Sequence, residues 1–331
     1  MRIVTIEEQW SDPALSAASM PSMTELVPGI EAMFDPGAGM PYTERVHLLT
    51  DIGAARIADM DRNGITTQVL SCNNMFLPAE VAPALTTAAN NTVAEAVAAH
   101  PGRFAAFATL PTAVPDAAAR ELHRCVSELG FVGTTIMGRT DGEFLDRPRF
   151  DPILSAASEL RVPIYLHPAP PPLAVSDANY ADGLSPVVSA SMRMPAWGWH
   201  QETAVHFLHL ILAGVLDRYP DLQFILGHWG EFIPFYLDRL DEAMPQRMTK
   251  LDRSFREYFH DNVFITPSGM FGQAQLRYCV DTVGVDRIIH AVDFPYVGNE
   301  GAVSFLAESH LSDQDKDKIA HANADNLLGL R

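Results

Sequence analysis

Four side chains able to bind a metal ion or move a proton each follow a short apolar run. Glu7 follows Ile3–Ile6, His167 follows Pro163–Leu166, His228 follows Leu222–Gly227, and Asp293 follows Arg287–Val292. Two carboxylates and one imidazole meeting at a point form a divalent-cation site, since oxygen and imidazole donors suit Mn²⁺, Mg²⁺ or Zn²⁺. A second imidazole on the same face supplies a group that titrates near neutral pH. Taken singly, each residue has a plainer role. Glu7 could end a strand in solvent, either histidine could be a hydrogen-bonded loop residue, and Asp293 could open a turn at Phe294-Pro295. On one face together, they favour metal chemistry.

One face is what the elements predict. Strand-like runs are read at Ile3–Glu7, Thr66–Ser71, Phe104–Leu110, Phe131–Met137, Pro163–His167, Leu222–Gly227, Asn262–Thr266 and Arg287–Asp293. Each is followed by a segment of helical composition, among them Ala55–Asn63, Asp116–Leu129, Ile233–Ala243 and Gln273–Val283. Eight alternations with continuous apolar strands predict an α/β fold, a (β/α)8 TIM barrel occupying residues 1–331 as one domain. An open doubly wound sheet is disfavoured because no glycine-rich phosphate turn follows the first strand. In a barrel the carboxyl ends of the strands carry the chemistry. Two connections are too long for simple loops: Glu8 to about Thr43 after strand 1, and Pro168 to about Trp199 after strand 5. Both read as walls of a pocket or as subunit contacts.

Composition narrows the partners. The chain has 331 residues, 47% of them hydrophobic, and a formal net charge of −18. That charge argues against nucleic acid or an anionic membrane as partner. The N-terminus MRIVTIEEQW lacks the pattern of a signal peptide, and no apolar run reaches the ~20 residues of a membrane span. Cys72, Cys125 and Cys279 form no close pair; with those features they predict reduced thiols and a cytoplasmic location.

The segments IEEQW, YLHP, ILGHWGE and IIHAVDFPY resemble signatures of the amidohydrolase superfamily. They are similar to its branch of metal-dependent non-oxidative decarboxylases, which includes aminocarboxymuconate semialdehyde decarboxylase, and most to hydroxybenzoate decarboxylases of the γ-resorcylate and 5-carboxyvanillate type. The resemblance runs from end to end, through ARIADMDRNGI, HPGRFAAFATLP, PAWGWHQETAVHFLHLILAGVLDRYPDLQF and NADNLLGL. It implies a lyase that decarboxylates a hydroxylated benzoate or related aromatic acid, in aromatic compound catabolism. Glu7, His167 and Asp293 would hold one divalent metal ion, manganese or zinc with magnesium as a third choice. His228, Asp293 and Glu231 would be catalytic; Arg56, Arg239, Gln9 and Phe294 would bind substrate. Many relatives carry ExH at the end of the first strand, whereas this chain has Glu7-Glu8-Gln9. An imidazole is therefore replaced by an amide, which shifts preference from zinc toward manganese or magnesium. A metal-dependent hydrolase or hydratase is the alternative, and a barrel that has lost its metal is a third. The run Glu202–Tyr219, apolar nearly all round, predicts a subunit contact in a homodimer or homotetramer.

Overall fold

The computed structural model describes residues 1–40, 43–72 and 76–330. Its parallel strands are β1 (Val4–Trp10), β2 (Thr67–Cys72), β3 (Phe104–Ala106), β4 (Ala108–Thr109), β5 (Thr134–Met137), β6 (Ile164–His167), β7 (Phe224–Leu226) and β8 (Val263–Ile265). Pairing runs β1-β2-β3 and β4-β5-β6-β7-β8. β3 and β4 are one stave interrupted at Phe107, whose N–H still bonds Leu70 O at 3.0 Å.

The eighth stave differs from expectation. The run 287–293 closes the ring only through isolated bridges, Ile265 to Ile288 and Ile6 to Ala291. The His290 N–H leaves the ladder to bond Ile319 O, and Asp293 turns to φ 66°. The ring nonetheless closes, and the chain is a (β/α)8 TIM barrel. Its interior is filled by Val4, Ile6, Val69, Phe107, Tyr165, Ile225, Ile289 and Ala291. This is the inward half of each strand's two-residue alternation. A larger apolar layer lies between strands and helices.

The two long insertions both sit over the barrel mouth. The first opens with a helix, Pro13–Leu26, capped by the Asp12 side chain, which accepts from Ala14 N and Leu15 N. The second carries helices Leu173–Tyr180 and Pro186–Arg193. They meet in one apolar cluster with Met23, Val27, Met33, Ala190 and Met194, which also takes in Met137 and Ala169 at the ends of strands. Beneath the insertions lies a cavity of about 570 Å³, with Thr135 and Met137 in its floor and Leu26, Phe76 and Pro170 in its walls.

Candidate metal centre and its neighbour

Glu7 reaches the centre because β1 is bulged. Thr5 pairs with Gln68 but Glu8 pairs with Leu70, so Ile6 and Glu7 share one partner position and Glu7 takes φ 71°. A bulge re-aims a side chain that strict alternation would send outward. The strand then runs on to Trp10, past the expected end at Glu7. Glu8 is fully buried and accepts from Val292 N at 3.1 Å and Phe294 N at 3.2 Å, tying the first stave to the last. Burial pushes Glu8 up to about 8, against the two backbone donors and Arg56.

His167 ends β6 and Asp293 follows the eighth stave. Ligand atoms of Glu7, His167 and Asp293 lie within 4.8 Å of one another, and His167 Nε2 is 3.5 Å from Glu7 Oε1. His167 Nδ1 lies 2.8 Å from Pro168 O; the carbonyl accepts, so Nδ1 carries the proton and Nε2 presents its lone pair inward. Burial lowers the His167 pKa, despite Glu7, which favours that neutral form. Glu7 Oε2 accepts from Ser268 Oγ and, at 3.4 Å, from Thr266 Oγ1. Gly227 stands where a Cβ would come within 2.8 Å of Tyr165 Oη and 3.0 Å of Glu7 Oε1, so only glycine allows this approach.

The donor set fits a divalent cation. Glu7 Oε1, Asp293 Oδ1 and Gln9 Oε1 are buried with no hydrogen-bond partner, a costly state for anionic and amide oxygens. Burial, and then Glu7, raise Asp293 well above the usual carboxylate range. Two carboxylates this close do not both ionise unless a positive charge joins them. The Gln9 side-chain amide Nε2 lies 3.2 Å from His167 Nε2.

A second carboxylate–imidazole group lies beside the first, and it is saturated. Glu231 Oε1 is 2.8 Å from His228 Nδ1, and Oε2 is 2.8 Å from His200 Nδ1. Burial acts to raise Glu231, but His200 and His228 outweigh it and hold the carboxyl below its usual range. Burial likewise acts to lower His228, but Glu231, Glu7 and Asp293 raise it to about 9. His228 and Glu231 belong to a left-handed turn. Residues 228–232 have φ of 48°, 60°, 79°, 51° and 66°, which costs L residues roughly 1–2 kcal/mol each. The turn is held by His228 N to Ser268 Oγ, Trp229 N to Thr266 O, and the Trp229 indole to Met270 O.

Three expected substrate-binding residues are placed differently. Arg56 is 1% exposed. Its guanidinium donates to Asp51 O, Gln9 O, Leu48 O and Gln68 Oε1, so its donors are spent on the protein. Phe294 is 2% exposed and lies under that guanidinium, 4.9 Å from it; the pair supports β1 and does not face the mouth. Arg239 is on the outer surface of helix Ile233–Ala243, 70% exposed and paired with Glu242. His290 packs as a buried ring, 3.0 Å from Ala302 O and stacked on Phe305. His200 and Ser268 were missed by the sequence reading. The signal for His200 was its position in WGWHQE at the start of helix Gly198–Leu212, below the opening of the inserted loop.

Comparison with known proteins identifies the family. The sequence model of the amidohydrolase family matches residues 45–330. A γ-resorcylate decarboxylase from Polaromonas sp. strain JS666 is 37% identical over 322 residues, 91% of this chain and 95% of the relative. Decarboxylase orsB of Emericella nidulans is 37% identical over 288 residues, 85% of this chain and 86% of the relative. A 5-carboxyvanillate decarboxylase structure from Sphingomonas paucimobilis has a TM-score of 0.89 at 31% identity, covering 100% of this chain and 99% of the other. A dihydroxybenzoic acid decarboxylase from Polaromonas sp. JS666, with bound manganese and the inhibitor 2-nitroresorcinol, has a TM-score of 0.84 at 32% identity, covering 99% and 97%. Matched over most of its sequence and throughout its fold, this chain belongs to the amidohydrolase family, in its decarboxylase branch.

Proposed function

We propose that the chain is a divalent-metal-dependent carboxy-lyase that removes CO₂ from a hydroxylated benzoate or related aromatic acid without oxidation. The observation that carries the reading is the trio Glu7, His167 and Asp293 with its unpartnered oxygens, on a barrel shared with hydroxybenzoate decarboxylases. Residues 1–331 act as one unit with one such centre. The oxygen-rich donors favour Mn²⁺ or Mg²⁺, with Zn²⁺ next, and Gln9 offers Oε1 as a further donor.

A divalent ion held by Glu7, His167 and Asp293 would supply Lewis-acid stabilisation of the phenolate charge. Asp293, beside Glu7 on the same face, would pass a proton to the ring carbon that bears the carboxylate. A C–H bond forms, the C–CO₂ bond breaks, and its electron pair returns to the ring as CO₂ leaves. With a cation cancelling the Glu7 and Asp293 charges that raise it, His228 would take the phenol proton at Nε2, since Nδ1 is committed to Glu231. The cavity over Thr135 and Met137 receives the far side of the ring. Met137 pairs with His167 across β5 and β6, so both point to the same face.

We further infer a cytoplasmic enzyme of aromatic compound catabolism that works as a homodimer or homotetramer, without nucleic acid or membrane partners. Among the described residues no helix is long and apolar enough to cross a membrane. Val205 and Leu212 on helix Gly198–Leu212, and Phe235 and Tyr236 on helix Ile233–Ala243, stay exposed at 37%, 41%, 72% and 55%, which supports a covered face. Light scattering checks the assembly. The activity test loads the apoprotein with Mn²⁺ and follows CO₂ release across a panel of hydroxybenzoates. Turnover abolished by chelation is expected; no turnover on the panel, with hydrolysis of lactones in its place, would overturn the reading.

A further inference from the structure

His200 has no part in holding the metal, yet it occupies half of Glu231. We propose that Trp199 and His200 are a positioning pair that locks the Glu231 carboxylate and thereby fixes the tautomer and reach of His228. The proposal rests on the reading of His228 as the group that faces the substrate.

The proton positions follow from chemistry. The Trp199 indole N–H lies 3.0 Å from His200 Nε2. An indole nitrogen only donates, so His200 Nε2 must accept, and the ring proton sits on Nδ1. That proton is aimed at Glu231 Oε2, 2.8 Å away. Pro195 O is also close to Nε2, at 3.1 Å. A proton placed between them would leave the indole N–H facing another N–H. With Oε2 committed, Oε1 is left to accept from His228 Nδ1. His228 then turns Nε2 to the barrel mouth.

A lone histidine–carboxylate pair would not fix that geometry. A carboxylate with one free oxygen rotates about its last bond, and Glu231 sits on a left-handed turn with no helix ladder to steady it. His200 supplies the second bond from a different element, the start of helix Gly198–Leu212. Its ring lies 4.3 Å from that of His228, so the two imidazoles are clamped side by side by one buried carboxylate. Trp199 also packs edge-on to His167 at 6.1 Å. One helix start therefore touches His167 directly and His228 through Glu231.

The test compares His200→Phe, which keeps a ring and loses the donor, with His200→Asn, whose Nδ2 takes the place of Nδ1. In the metal-loaded enzyme His200→Phe should lower kcat by roughly 10–100-fold, with KM and metal content unchanged, and His200→Asn should recover most of that loss. Equal kcat in wild type and His200→Phe would overturn the proposal, as would equal loss in both variants, which marks a packing role. A second readout needs no activity. In ¹⁵N-histidine-labelled apoprotein, His200 should appear protonated at Nδ1 and bare at Nε2; a proton on Nε2 would overturn it. His228→Gln separates the two ideas. Full turnover in that variant would sink the reading of His228, while the labelled spectrum still decides the tautomer of His200.

Discussion

Two carboxylate–imidazole groups stand side by side in the barrel mouth, and they are finished differently. Around Glu7, His167 and Asp293, oxygens are buried and unpartnered. Around Glu231, both oxygens are taken, each at 2.8 Å from an imidazole nitrogen. Residue types alone do not separate them, since each offers carboxylate and histidine within metal-binding distance. Hydrogen-bond accounting does: an unsatisfied anionic pocket is stable only with a cation, whereas a satisfied one is a rigid holder for its histidines.

The largest expected effect breaks the first group. Asp293→Asn should cost on the order of 10²–10⁴ in kcat as the proton donor is lost, and His167→Ala should remove metal and turnover together, read by elemental analysis beside CO₂ release. Retention of a full equivalent of metal in His167→Ala would merge the two groups again. His228→Ala should cost a comparable ~10²–10⁴ in kcat while the metal stays bound; loss of the metal there would move His228 into the first group. A smaller effect is thermodynamic. Metal at 100 times its dissociation constant should stabilise the fold by about 2.7 kcal/mol, seen as a rise in melting temperature that Glu7→Gln abolishes.

The pH behaviour sharpens the contrast further. His228 titrates at about 9, with Glu7 and Asp293 among the charges that raise it. A bound cation cancels those charges, so its pKa should fall on metal loading, measurable by histidine NMR. The smallest effect lies outside both groups. Burial lowers His290 from the ordinary 6.5 to about 4. Below 6.5 the unfolded chain binds a proton that the folded chain refuses until about 4. Its share of stability is therefore full above 6.5 and is lost as pH falls toward 4, at about 1.4 kcal/mol per pH unit. His290→Phe should flatten the acid limb of urea stability by that slope.

Much of this was readable in the sequence, for a definite reason. Apolar runs that give way to His or Asp mark strand ends, so His167, His228 and Asp293 could be set on one face from the sequence, and Glu7 with them although its strand runs on to Trp10. What depends on register could not be read. The bulge that turns Glu7 inward is a pairing property of Thr5 and Glu8 with β2, and the loose eighth stave reflects bonds that His290 makes to Ile319. Arg56 was expected to bind substrate, and it lies against Gln9 O. Its donors, however, are consumed by carbonyls of residues 9, 48 and 51, which no side-chain pattern reveals. His200 was hidden for a similar reason: it joins Glu231 from 31 residues away, at the start of a helix whose sequence reads as packing.

The bulged first strand has a consequence for assembly of the chain. Glu7 and Asp293 come from the first and last staves, and the bond from Phe294 N to Glu8 that joins those staves spans 286 residues. The cation pocket is therefore written across the barrel's seam and does not exist until the ring has closed. Contacts of such long sequence separation form late in folding. Metal capture then serves as a readout of ring closure: a nascent or truncated chain that lacks its final stave has helices and strands to form but nothing with which to grip the ion.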